Sequence, residues 1–178
     1  MTFIDDYTRL TWVVFLREKS AADSAIRGFV AMVERQFEGH GQGRIKHFFT
    51  DNGTEYVNQS VSQFFLEKGI KHDTTPAYCH EYNGIAERFN RTLMTMMRMV
   101  LLQVKRTNSG YSDDSINQLD KRLWSETCHT AVYIKNRLPH SALPTNITPF
   151  EALFGRKPEI GHMRPFGALC YMHIPVEK

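Results

Sequence analysis

Two pieces of sequence decide how this chain is read: Thr50-Asp51-Asn52-Gly53 and Asn83-Gly84-Ile85-Ala86-Glu87-Arg88. Ahead of the first, Ile45-Lys46-His47-Phe48-Phe49 is a short strand that delivers Asp51 to its C-terminal end, and Asn52-Gly53 then turns the chain sharply. In open α/β sheets that end of the strands is where ligands bind. In the second, Ile85, Phe89, Leu93, Met96 or Met97 and Val100 form an apolar stripe. A long amphipathic helix therefore starts at Asn83 or Gly84 and carries Glu87 in its first turn. Each acid alone has an ordinary explanation: Asp in Asp-Asn-Gly shapes a turn, and Glu at a helix start answers the helix dipole. Brought together by a fold, the two carboxylates can instead share divalent metal, because Mg²⁺ and Mn²⁺ take hard oxygen ligands.

Outward from these pieces, strands alternate with helices. Thr2-Phe3-Ile4, a polar turn from Asp5 to Arg9, and Leu10 to Leu16 read as a hairpin. Ser20 followed by Asp23 has the form of a capping box, opening a helix on Ala22, Ile26, Phe29 or Val30, Val33 and Phe37 that ends before Gly39-His40-Gly41-Gln42-Gly43. A short helix from Val61 to Lys68 packs Phe64, Phe65 and Leu66 and stops at Gly69; Ile70 to Thr75 is a further strand, and Pro76 to Tyr82 an irregular loop. Lys105 to Arg122 reads as an exposed loop, and Leu123 to Leu138 as a second amphipathic helix using Trp124, Cys128, Ala131, Val132 and Ile134. The remainder, punctuated by Pro139, Pro144, Pro149, Pro158 and Pro165, is expected to run extended with short turns, with a last strand over Ala168 to Ile174. The expected organisation is a segment of alternating strands and helices over 1–104, a polar insertion and second long helix completing its core over 105–138, and an extended tail over 139–178.

With 178 residues, 42% of them hydrophobic, the chain can bury one real core. Its net charge of +3 points only weakly to nucleic acid. Placement says more, since Arg88, Arg91 and Arg98 lie on one helical stretch with Lys105 and Arg106 at its end. Cys79, Cys128 and Cys170 are odd in number and far apart, against a disulfide framework and against a zinc site, and fit a reducing compartment. No apolar run approaches the ~20 residues of a bilayer span, so no membrane partner is expected.

The motifs together carry a resemblance. Thr50 to Gly53 with Glu55-Tyr56, the Thr-x-Pro at Thr74 to Pro76, Asn83-Gly84 with Glu87-Arg88, and Phe3-Ile4-Asp5-Asp6-Tyr7-Thr8-Arg9 resemble the catalytic core of a retroviral-type integrase, specifically the copia-like retrotransposon branch. Thr130 to Pro139, Thr148-Pro149-Phe150-Glu151 and Phe154-Gly155-x-Lys157-Pro158 look like the copia-type continuation, so the likeness covers nearly the whole chain. It implies an α/β fold, a ribonuclease H-like mixed sheet flanked by helices, with a Pro-rich extension. It also implies Asp51 and Glu87 as catalytic residues holding Mg²⁺ or Mn²⁺ for DNA 3′-end processing and strand transfer. The partners implied are the element end, target DNA, and a second copy or an intact integrase; the location is intracellular, nuclear when acting on DNA. Tyr78, Tyr82, Asn83, Arg88 and Arg91 are the expected DNA contacts.

The same resemblance places the family's first catalytic Asp on a strand ahead of the hairpin, so that this chain starts after it. That strand is central in the related fold, so an opened sheet with two unpaired inner edges and poor solubility is expected. Asp5 and Asp6 read as acids of the polar turn before Tyr7, with replacement of the absent ligand as the alternative. Glu81 stands where the family has an amide, adding negative charge beside phosphates or else joining the metal cluster, and His80 reads as a solvated loop residue. Two functional readings stay open: a core of the integrase lineage, and a catalytically dead DNA-binding or multimerising remnant. A Mg²⁺-dependent nuclease of the same fold is disfavoured by the copia-like tail.

Overall fold

β-Branched and aromatic residues at the front of the chain form the hairpin: β1 (Thr2–Ile4) pairs with β2 (Thr11–Val13) in a two-stranded sheet. The computed structural model describes residues 1–37, 44–75, 84–107, 123–168, 171 and 173. The hairpin turn is built by Asp5, whose Oδ2 accepts the Thr8 backbone N–H at 2.8 Å and the Thr8 hydroxyl at 2.6 Å. Arg9 takes the left-handed conformation at φ 62° and pairs with Asp6 at 2.7 Å. Both acids are thus engaged within the turn.

The chain divides into two compact units, one of Met1–Thr2 with Val14–Phe89, the other of Phe3–Val13 with Asn90–Lys178. In the first, a 3-10 turn (Lys19–Ala21) leads into α1 (Ala22–Gln36), followed by β3 (His47–Thr50), α2 (Gln59–Lys68), β4 (Lys71–Thr74) and the start of α3 (Gly84–Thr107). β3 and β4 run parallel, with Phe48 opposite His72 and Thr50 opposite Thr74. Side chains alternate across a strand, so Phe48, Thr50 and His72 share one face, while His47, Phe49, Lys71 and Asp73 share the other. On the first face Phe48 stacks on Phe65 of α2 at 5.0 Å, and Phe29 of α1 meets Phe48 edge-on at 6.4 Å. Ile26, Val30, Val61, Phe64 and Ile70 complete this core. On the second, half-buried Asp73 bridges His47 and Lys71 at 2.9 and 2.6 Å.

The expected capping box at Ser20 does not form. Ser20 lies in the 3-10 turn, and the α1 N-cap is Ala21 without a side-chain cap. Asp23 instead binds Arg27 and accepts the hydroxyl of Ser60, tying α1 to α2; Ser60 first and then Arg27 hold its carboxyl below the usual range. Asn58 caps α2 through Val61 N–H, and Gly69 ends it at φ 66°. Leu66, expected in the core, is exposed.

The second unit holds most of the hairpin, the rest of α3, α4 (Trp124–Lys135) and α5 (Pro149–Phe154). Leu93, Val100 and Val104 are the buried stripe of α3, and Cys128, Ala131 and Val132 that of α4, which packs on β2; Trp124 is exposed. The link to β2 is Asn136, whose Nδ2 donates to Thr11 O at 2.8 Å and whose Oδ1 accepts Thr11 N–H at 3.0 Å. One side-chain amide thus supplies both bonds that a neighbouring strand would have made. α5 replaces part of the expected extended tail: Thr148 caps it through Glu151 N–H, and Pro149 occupies its first turn. Most of the expected 105–122 loop, Cys79, Cys170 and most of the expected last strand lie outside the described residues. Among the described residues, no strand joins the two sheets and no helix is long and apolar enough to cross a membrane.

Candidate active site at the end of β3

β3 ends at Thr50, so Asp51 stands at the mouth of the parallel pair, exposed. Its position is held from both sides by β4 and the residue that follows it. Thr75 N–H donates to Thr50 O at 2.9 Å, and Asn52 Nδ2 donates to Thr75 O at 2.7 Å. The Thr50 hydroxyl donates to Asp51 O at 2.9 Å and lies 2.9 Å from His72 Nε2. Beyond the strand, Gly53 O accepts from Tyr56 and Val57, closing a tight turn, and Gly53 N–H donates to Asp51 Oδ1 at 3.1 Å.

That turn brings in an acid the sequence reading had only as part of a motif. A Cβ placed on Gly53 would meet Glu55 Oε2 at 2.8 Å and Asp51 Oδ1 at 3.0 Å. The two carboxylates therefore flank the glycine and lie no farther apart than the sum of those distances. Tyr56 reports the same field: burial first, then the charges of Asp51 and Glu55, push its phenol pKa above 10.0. The i, i+4 spacing of Asp51 and Glu55 around Asn-Gly was the available signal. His72, by contrast, joins the site through strand register alone.

Glu87 is exposed in the first turn of α3 and belongs to the same compact unit as Asp51. Arg88, one residue on, folds back over Gly84, where an added Cβ would lie 3.4 Å from its Nη1. Arg91 and Arg98 are exposed farther along α3. Tyr78, His80, Glu81, Tyr82 and Asn83 lie outside the described residues. The exposed carboxylates of Asp51 and Glu87 are the right donor type for Mg²⁺ or Mn²⁺. Among the described residues no group of three His, Cys, Asp or Glu side chains converges as a metal site.

Comparison with known proteins gives this geometry a context. Residues 1–80 match the integrase core domain family. The chain is 32% identical over 179 residues to the retrovirus-related Pol polyprotein of transposon TNT 1-94 from Nicotiana tabacum, covering 100% of this chain and 12% of the relative. It is 33% identical over 169 residues to that of transposon RE1 from Arabidopsis thaliana, covering 95% and 10%. The chain thus spans only a small part of these relatives. Among solved structures, it is similar in fold to the simian T-cell lymphotropic virus intasome in complex with PP2A regulatory subunit B56 gamma, with TM-score 0.60, 20% identity, and coverage of 92% of this chain and 51% of that one. It is also similar to the HTLV-2 integrase catalytic core domain in complex with magnesium, with TM-score 0.56, 18% identity, and coverage of 85% and 81%. The match over residues 1–80 and the likeness in fold support a retroviral-type integrase catalytic core with a ribonuclease H-like architecture. Over nearly its whole length the chain is similar to the Pol polyproteins of plant copia-like retrotransposons.

Proposed function

We propose that the chain is the metal-dependent core of a copia-like integrase, acting on DNA by 3′-end processing and strand transfer. The observation that carries this reading is the exposed Asp51 carboxylate at the C-terminal end of β3, where the residues before and after it, Thr50 and Asn52, are both hydrogen-bonded to Thr75. Asp51 and Glu87 would hold Mg²⁺ or Mn²⁺, which when bound supplies activation of the attacking oxygen and charge stabilisation at the leaving one. Nothing covalent need pass through the protein, so the residues' work is to bind and orient. Arg88 and Arg91, with Tyr78, Tyr82 and Asn83, would contact the DNA backbone near the element end. Target DNA and a second copy, or an intact integrase, are the remaining partners, and the nucleus is the place of action.

A second reading, a DNA-binding or multimerising protein without catalysis, is favoured by the absence, among the described residues, of three His, Cys, Asp or Glu side chains converging as a metal site. The two separate in one experiment on a short duplex in Mn²⁺. For the enzyme, Glu87→Gln abolishes cutting and leaves DNA affinity nearly intact. For the binding protein that change does little, while Arg88→Ala and Arg91→Ala lower affinity and flatten its salt dependence. Metal-dependent cutting retained in Glu87→Gln would sink the site assignment.

A further inference from the structure

We infer that His72 is a positioning residue for Asp51, acting through the hydroxyl of Thr50; this rests on the metal-binding reading of Asp51. The Thr50 hydroxyl has a single proton, which goes to Asp51 O at 2.9 Å. With that proton so placed, the 2.9 Å contact with His72 Nε2 uses an oxygen lone pair, and we assign the ring hydrogen to Nε2 as the donor. The relay runs from His72 Nε2–H to Thr50 Oγ1, and from Thr50 Oγ1–H to the carbonyl of Asp51.

The far end of this relay is anchored in the core. The His72 ring lies 4.9 Å from that of Phe65, which stacks in turn on Phe48. Burial is also the main reason its pKa lies below 6.5. Asp51 itself is exposed and sits past the last strand residue, where a carboxylate would otherwise wander. Metal ligation tolerates an error of only about 0.5 Å, and groups behind the ligands set that precision. Asn52, bonded to Thr75 O, holds the other flank. His72 therefore transmits the order of the aromatic core to the peptide that carries the ligand.

The test uses the full 178-residue chain, labelled with ¹⁵N and titrated with Mn²⁺, reading paramagnetic broadening of the Asp51, Asn52 and Gly53 amides. His72→Leu and Thr50→Val should each weaken apparent Mn²⁺ affinity about ten-fold, the low end for loss of a group behind a ligand. The double variant should be no weaker than either alone, because both break one relay. His72→Gln, which sets an amide donor near the Nε2 position, and Thr50→Ser should bind Mn²⁺ as the parent does. The imidazole ¹⁵N pattern of His72 should be that of the Nε2–H tautomer. Thr50→Val is nearly isosteric and keeps the test open if His72→Leu fails to fold. Parent-like affinity in Thr50→Val, with Asp51→Asn abolishing the broadening, overturns the positioning role while the metal site stands. Broadening that survives in Asp51→Asn overturns the metal site and the relay with it.

Discussion

Replacing Asn136 with Ala tests how the second unit is held together, and the size of the effect follows from two hydrogen bonds. Asn136 is 8% exposed and Thr11 1% exposed, so both bonds are buried. The amide satisfies Thr11 N–H at 3.0 Å and Thr11 O at 2.8 Å, and Ala leaves both without a partner. A buried donor or acceptor stripped of its partner costs about 1–3 kcal/mol, so the pair together costs about 2–6 kcal/mol. Against a typical total of about 5–15 kcal/mol, that is enough to unfold much of the population near physiological temperature. Asn136→Asp should be no milder: it keeps an acceptor for Thr11 N–H but turns a charged oxygen on Thr11 O. Urea unfolding followed by circular dichroism measures both. A loss below about 0.5 kcal/mol for Asn136→Ala, within the range of ordinary surface changes, would refute the claim that one side chain substitutes for a strand.

Two further consequences are open to the same measurements. Gly167 sits at φ 79°, and a Cβ there would lie 2.9 Å from Val104 Cγ2; Gly167→Ala combines left-handed strain with overpacking and should cost about 1–3 kcal/mol, whereas a neutral result would mean the tail does not seat on α3. Burial, opposed by Asp73 and aided by His47, lowers the pKa of His72 below 6.5, and burial with the charges of Lys135 and Arg9 does the same for His140. A histidine whose folded pKa is depressed contributes stability above its unfolded value and loses it as pH falls through the folded one. The urea midpoint should therefore drop between about pH 7 and pH 5, less steeply in His72→Gln, and an equal slope in that variant would show that His72 is not the group responsible.

Much of the first unit was legible because its signals are local. Hydrophobic periodicity marked α1 and α3, Gly69 marked the end of α2, and Asp51-Asn52-Gly53 marked the turn past β3. What the sequence hid was mostly the work of distant partners. Ser20 and Asp23 match a capping box, but the hydroxyl that Asp23 takes belongs to Ser60 on another helix. Asn136 reads as an unremarkable residue at a helix end until Thr11 is placed beside it. His72 looks like one more polar strand residue until the parallel register sets it across from Phe48 with Thr50 on the same face. α5 is different: Thr148-Pro149 with Glu151 is a sound helix-start signal, masked by the density of prolines around it. The close approach of Glu55 to Asp51 needed the geometry of Gly53, which admits no side chain between them.

The most direct test of the account is a strand-transfer assay in Mn²⁺ on a labelled duplex carrying an element end. It would compare the chain with Asp51→Asn and Glu87→Gln, with DNA affinity measured in parallel. The account predicts that metal-dependent joining by the parent chain is lost in both variants while DNA affinity stays unchanged within about two-fold, since both residues act on the reacting centre rather than on binding. Joined product from either variant at the parent rate would contradict it.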